Sequence, residues 1–257
     1  MQRQRLRILS AMFLLFDIGR TKFRFARSFD SVTLAAPETI PTPTTVEEGI
    51  KRIIETARQA DQPVRAVVIG ASRKVWGGAP IAPFVKQELG IPVYLENDAA
   101  LAGLGEAVVG AGRGFPIVAY VTVSTGVGGA KIENGRIDQN ISGFEPGQQV
   151  IMIAREKIGQ LEDYVSGTAV AKRFGRPPHE LTDDKIWQDL SRYLAAGLTN
   201  TILHWSPDCL VLGGSMFHQP GFKVATLESL IRQDLTIFPQ LPAIKLATLG
   251  DSSALHG

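Results

Sequence analysis

The sequence predicts an α/β fold built from two related lobes. Two observations carry this. From residue 12 to 69 the apolar runs follow the order strand, strand, strand, helix, strand, which begins an α/β layer. A second hairpin over 117–133 then begins like the first over 12–27. In each, an apolar strand enters a Gly/Thr turn and returns through a strand with a lysine, Lys22 in one and Lys131 in the other. This likeness points to a weak internal duplication, with one turn from each lobe facing a common cleft.

A chain of 257 residues can bury a substantial core and suits one large domain or two of ordinary size. Hydrophobic content of 44% with 20% charge is globular composition. Net charge is +2 and no basic cluster dominates, so no nucleic-acid partner is implied. One cysteine, Cys209, excludes an internal disulfide framework and a multi-cysteine zinc site, and fits a cytoplasmic location. Three arginines precede the apolar run Ile8 to Phe16, as in a signal peptide. That run is too short to span a membrane, and Asp17 ends it without a small-residue cleavage site. A buried strand is expected there, with no membrane partner, and residues 1–11 read as a loose leader before Met12.

In chain order, 12–16 is a strand, Asp17 to Lys22 a tight turn and Phe23 to Arg27 the returning strand. Residues 31–36 read as a third strand and Pro37 to Thr44 as a loop with three prolines. Thr45-Val46-Glu47-Glu48 has capping-box spacing. Val46, Ile50, Ile53, Ile54 and Ala57 then share one helical face. Val64 to Ile69 is a strand, Ser72 to Pro83 irregular, and Phe84 to Leu89 a helix stopped by Gly90. Pro92 to Leu95 is a strand, followed by an alanine-rich helix from Asp98 to about Val109. Gly110 to Pro116 is the candidate hinge, giving lobes at 1–110 and 111–257. Ile117 to Val123 is a strand, Ser124 to Gly129 a turn and Ala130 to Glu133 the return, with Asn134-Gly135 as a hairpin signal. Ser142 to Gly167 is polar and irregular, Ile186 to Trp205 a long helix, and Cys209 to Leu212 a strand before Gly213-Gly214. A helix over 223–234 and a strand over 244–249 follow, and the C-terminus at Leu255-His256-Gly257 reads as clipped.

Gly-rich turns let backbone N–H groups approach an anion because no Cβ intervenes. Thr21, Ser124 and Thr125 add hydroxyls, and Lys22 adds charge. Neither turn is a Walker A loop, since both lead into strands. One such turn is ordinarily a plain hairpin. Two of similar layout with an acid at the first, Asp17, favour a nucleotide, with Asp17 holding Mg2+ through water. Asp98 lies at a strand-to-helix junction, where a carboxylate serves either as a base or as a helix cap. Asn97 is a hydroxyl ligand or a turn residue. Glu145 and Glu162 suit sugar hydroxyls or are solvated surface carboxylates. The histidines have no metal-ligand spacing.

Taken together, these motifs resemble the ROK family of sugar kinases and regulators, within the actin-like ATPase superfamily. Phe16 to Lys22 resembles its first phosphate loop, Pro92 to Ala99 its catalytic segment with Gly105-Glu106 following, and Ser124 to Gly129 its second phosphate loop. Gly143-Phe144-Glu145-Pro146-Gly147-Gln148 resembles its sugar motif, and Leu161 to Gly167 its Leu-Glu-x-x-x-Ser-Gly segment. Pro207 to Gly214 resembles its adenosine-side segment, and Leu249-Gly250-Asp251 its closing motif.

The resemblance implies two RNase-H-like lobes, each a mixed sheet flanked by helices, with an interlobe cleft. It implies an ATP- and Mg2+-dependent kinase acting on a hexose or hexose derivative, at the 6-hydroxyl, with Asp98 as general base. Asn97, Glu145, Gln148 and Glu162 would hold the sugar. Asp17, Gly19, Thr21, Lys22, Ser124, Thr125 and Gly126 would hold phosphates, Gly213 and Gly214 would approach adenosine, and a homodimer is a family expectation.

Three departures stand out. The family's Cys-x-Cys-Gly-x-x-Gly-Cys zinc motif is absent, its place shortened to Gln149 through Gln160, and Gln148 stands for a histidine; no zinc site is expected. Arg20 replaces a loop glycine, adding charge near a phosphate or crowding the nucleotide. The usual Pro-Asn-Leu sugar contact is not recognisable around Ala82-Pro83-Phe84. A second expectation is therefore a catalytically weak sugar-binding sensor, without a DNA-binding domain because no helix-turn-helix precedes residue 12.

Overall fold

The computed structural model describes residues 11–72, 75–139, 142–154, 157–218 and 220–257. The leader expected at 1–11 lies outside them except for its last residue. The chain divides between Asp98 and Ala99 into two compact units.

The first unit is a five-stranded sheet with two helices. β1 (Met12–Ile18), β2 (Lys22–Ser28) and β3 (Glu38–Pro41) form an antiparallel meander. After α1 (Val46–Arg58), β4 (Val64–Ala71) pairs parallel to β1. After α2 (Ile81–Leu89), β5 (Val93–Glu96) pairs parallel to β4. The order is β3-β2-β1-β4-β5. Alternating side chains of β1 and β2, among them Leu14, Phe16, Phe23 and Phe25, pack with Ile53 of α1 and Val85 of α2.

The expected third strand over 31–36 is a correction. That segment folds around Asp30, whose carboxylate accepts from the N–H groups of Val32 and Thr33 at 2.9 and 2.7 Å. The Thr33 N–H, then the Val32 N–H and the Thr33 hydroxyl, pull the Asp30 pKa down to about 2. The strand comes later, in the proline-rich stretch. An edge position tolerates Pro41 because only one side of β3 needs donors. The α1 cap is as expected: the Thr45 side chain accepts from the Glu48 N–H. α2 ends on Gly90 in the left-handed region and begins three residues before the expected Phe84, with Pro83 tolerated in its first turn.

The second unit repeats this order. α3 (Asp98–Val108) leads into β6 (Ile117–Val123), β7 (Val127–Glu133) and β8 (Arg136–Ile137), an antiparallel meander. β9 (Val150–Ala154) and β10 (Lys157–Gln160) form a separate hairpin. Then come α4 (Leu161–Val165), α5 (Gly167–Phe174) and α6 (Asp184–Trp205). β11 (Cys209–Gly213), α7 (Val224–Asp234), β12 (Ala243–Leu246) and α8 (Ser253–His256) complete the chain. The order β12-β11-β6-β7-β8 has β11 parallel to β6 and β12 parallel to β11. Read from the meander edge, both sheets run 3-2-1-4-5 in their own strand order, which bears out the duplication. The stretch expected to be irregular over 142–167 carries a hairpin and a short helix, a second correction. β7 also begins at Val127 rather than Ala130, so the turn after β6 is only Ser124 to Gly126.

One buried acid organises the second unit. Glu106, on α3, is fully buried. Its carboxylate accepts from the N–H groups of Ala111, Thr248 and Leu249 at 2.9, 3.0 and 2.8 Å. The hydroxyls of Thr248 and Ser253 lie at 3.3 and 3.2 Å. This joins α3 to the segment after β12. Glu106→Gln places an NH2 against this ring of donors, so urea unfolding is expected to show a loss of about 3 kcal/mol.

Candidate active site

In the first unit, the β1–β2 turn closes through a Gly19 N–H bond to the Lys22 carbonyl at 2.9 Å. The Thr42 hydroxyl donates to the Gly19 carbonyl at 2.7 Å, which fixes the turn from β3's side. Arg20, Thr21 and Lys22 are exposed, so their side chains face solvent rather than core. Asp17, 7% exposed, lies opposite Arg24 in the β1/β2 register. Arg24 Nη1 donates to Asp17 Oδ2 at 2.9 Å. Two hard oxygen donors, the Asp17 carboxylate and the Thr21 hydroxyl, suit a hydrated Mg2+. Arg24 offsets the Asp17 charge, which lowers the attraction for a cation. Arg24 went unnoticed in the sequence, although a β-hairpin places residues at matching distances from its turn opposite each other.

Asn97 and Asp98 follow β5, and both are half-buried. Asp98 is the first residue of α3, where a negative charge is favoured by the helix dipole. The cap position therefore falls before it, and its carboxylate belongs to the first turn.

In the second unit, the structure brings several predicted residues together. The turn Ser124 to Gly126 closes on itself through the Ser124 N–H and Gly126 carbonyl at 2.8 Å. Glu162 Oε2 accepts from the Val127 N–H at 2.8 Å. A Cβ on Gly126 would sit 2.8 Å from the same oxygen, so this approach needs glycine. Glu162 is thus anchored against the turn rather than solvated. The Gly167 N–H donates to the Ser124 carbonyl, and the Thr168 hydroxyl to the Thr125 carbonyl, each at 2.7 Å.

The sugar-motif segment lies against the same place. A Cβ on Gly147 would meet the Val127 carbonyl oxygen at 2.6 Å, so this backbone packs on the start of β7. Glu145 and Gln148 flank Pro146 and Gly147 and are exposed. Gln149 Nε2 donates to the Pro146 carbonyl at 2.9 Å and to Thr201 Oγ1 at 3.2 Å, tying this segment to α6. The place of the absent zinc motif is occupied by the β9–β10 hairpin. Among the described residues no group of three or more His, Cys, Asp and Glu could hold a metal ion.

Gly213 ends β11 and Gly214 follows it. The Ser215 hydroxyl lies 3.2 Å from the Ser124 hydroxyl, which brings the predicted adenosine-side glycines beside the turn. Gly214 has φ 97° and ψ 162°, a region open in practice only to glycine, and a Cβ there would strike the Val123 carbonyl. Cys209 is buried in β11, and desolvation pushes its thiol pKa up, which leaves it unreactive. Ser215, Thr168 and Gln149 were missed as site residues. None belongs to a motif, and only the three-dimensional pairing shows their part.

These features define a two-unit α/β protein with duplicated RNase-H-like sheets and a glycine turn after the first strand of each. The chain belongs to the ROK family, whose model matches residues 14–257. It is 31% identical over 154 residues to a putative fructokinase of Bacillus subtilis, covering 56% of this chain and 52% of that protein. The match thus spans about half the length of that relative. A ROK hexokinase structure from Thermus thermophilus superposes with TM-score 0.78 and 25% identity, covering 95% of both chains. A ROK glucokinase from Streptomyces griseus, solved with glucose and AMPPNP, gives TM-score 0.77 at 22% identity, covering 96% of this chain and 97% of that one. These similarities establish the actin-like ATPase fold. No helix among the described residues is long and apolar enough to cross a membrane.

Gly214→Ala tests the backbone at the adenosine-side turn. Thermal unfolding should show a loss of about 2 kcal/mol or more, from the strained backbone alone before the clash is added.

Proposed function

We propose that this protein is an ATP-dependent sugar kinase that phosphorylates a hydroxyl, in the first instance the 6-hydroxyl, of a hexose or hexose derivative. The observation that carries the reading is the Glu162 bond to Val127. A carboxylate suited to sugar hydroxyls and a turn suited to a phosphate are joined through one hydrogen bond. Membership of the ROK family and relatives named fructokinase, hexokinase and glucokinase support it.

In this reading Asp98 accepts the proton of the attacking hydroxyl, and Asn97, Glu145, Gln148 and Glu162 hold the other hydroxyls. Phosphoryl transfer asks mainly for positioning and charge stabilisation. Ser124, Thr125 and Gly126 and the turn Gly19 to Lys22 hold the donor phosphates, while Gly213 and Gly214 admit the adenosine. Asp17 would hold Mg2+, which when bound would supply charge neutralisation at the transferred group. Residues 1–110 supply the base and first turn; 111–257 supply the second turn, the sugar segment and the adenosine side.

The Arg24–Asp17 ion pair favours a second reading, a sugar-binding sensor with weak turnover. A cation already at the carboxylate weakens the Mg2+ site. Sugar binding by calorimetry with no ATP consumed on any common hexose would select it.

The test of the leading reading is Asp98→Asn. Sugar affinity is expected to stay within about threefold of wild type, while kcat falls about 100-fold or more. Near-normal kcat in this variant would remove Asp98 from the chemistry.

A further inference from the structure

We propose that Thr168 is a positioning residue for the second phosphate turn, fixing the direction of a backbone N–H that receives the nucleotide. The proposal rests on the reading of Ser124 to Gly126 as a phosphate site. Thr168 stands just beyond the Leu-Glu-x-x-x-Ser-Gly segment, so no motif marks it.

The argument starts from the planar trans peptide, in which C=O and the following N–H point in opposite directions. The Thr168 hydroxyl donates to the Thr125 carbonyl at 2.7 Å. That bond turns the Gly126 N–H away from Thr168. One residue earlier, the Gly167 N–H donates to the Ser124 carbonyl at 2.7 Å and turns the Thr125 N–H away in the same manner. Among the described residues neither the Thr125 nor the Gly126 N–H donates to the protein. Two successive N–H groups, both left for an outside acceptor and both oriented by 167–168, form the kind of donor pair that takes an anion.

The rest of the neighbourhood makes this arrangement rigid. Gly167 begins α5, whose cap Ser166 accepts from the Ala169 N–H at 3.2 Å. A Cβ on Gly167 would lie 3.0 Å from the Ser124 carbonyl oxygen, so the helix start and the turn are in direct contact. Glu162, on the same short segment, holds Val127 at the far end of the turn. The turn is therefore gripped at both ends by 162–168. The Gly167 bond is backbone and survives substitution; the Thr168 bond depends on one hydroxyl.

Thr168 is exposed, so its replacement leaves the core untouched. Thr168→Val removes the hydroxyl with little change of shape, and Thr168→Ser restores it. In Thr168→Val the KM for ATP is expected to rise about fivefold to tenfold, with sugar KM and melting temperature at wild-type values. The Gly126 amide 15N shift, which senses the hydrogen bond at the Thr125 carbonyl of the same peptide, should move in parallel, and Thr168→Ser should return both readouts to wild type. An unchanged ATP KM in Thr168→Val, or a serine variant as impaired as the valine one, overturns the proposal. If the wild-type protein binds neither ATP nor ADP, the phosphate-site reading itself fails. The Gly126 amide 15N shift then still decides whether Thr168 orients the turn.

Discussion

The second unit depends on the buried carboxylate of Glu106. Taking an ionised carboxylate out of water costs several kcal/mol unless donors replace the solvent. Here the donors come from the turn after α3 and from the segment after β12, far apart in sequence. Neither segment can move without breaking its hydrogen bonds to this buried carboxylate. α3 is held by this constraint along its C-terminal half, and Asp98 is its first residue. The glycine-rich stretch after α3 fits the same need, because a Cβ at Gly110 would run into the Glu106 carboxylate.

A second constraint acts on the ligand side. Around the start of β7, four segments distant in sequence converge: the turn after β6, the sugar-motif segment, the Glu162 to Thr168 stretch and the residues after β11. They are joined through side-chain and backbone groups alike, as in the Val127 N–H bond to the Glu162 carboxylate and the Gly167 N–H bond to the Ser124 carbonyl. Gln148 and the β9–β10 hairpin stand where the family's histidine and zinc segment would be. Gln149, bonded to Pro146 and Thr201, anchors the sugar-motif segment to the long helix instead.

Much of this was legible in the sequence where local physics decides the outcome. The α1 cap at Thr45, the Gly90 stop, the Asn134-Gly135 turn and the two apolar central strands follow from spacing and turn chemistry alone. The duplicated order was visible as a likeness between two hairpins. Where competing local signals exist, sequence patterning misled. Residues 31–36 alternate like a strand, yet Asp30 offers their N–H groups a closer acceptor, and the strand moves to a proline-rich edge. The β9–β10 hairpin lacks a strong turn signal, and the apolar run Val150 to Ala154 that marks its first strand was passed over among the polar residues around it. At the site, motif residues were legible and their partners were not. Arg24, Thr168 and Ser215 act through contacts with residues distant from their own motifs, and such contacts leave no pattern in a sequence.

The most direct measurement is phosphorus NMR of the protein incubated with ATP, Mg2+ and single hexoses or their N-acetylated forms. A sugar kinase predicts a new phosphate-monoester signal with one or a few sugars, growing in step with ADP. ADP released without a phosphorylated sugar, or no reaction with any sugar that binds, contradicts it.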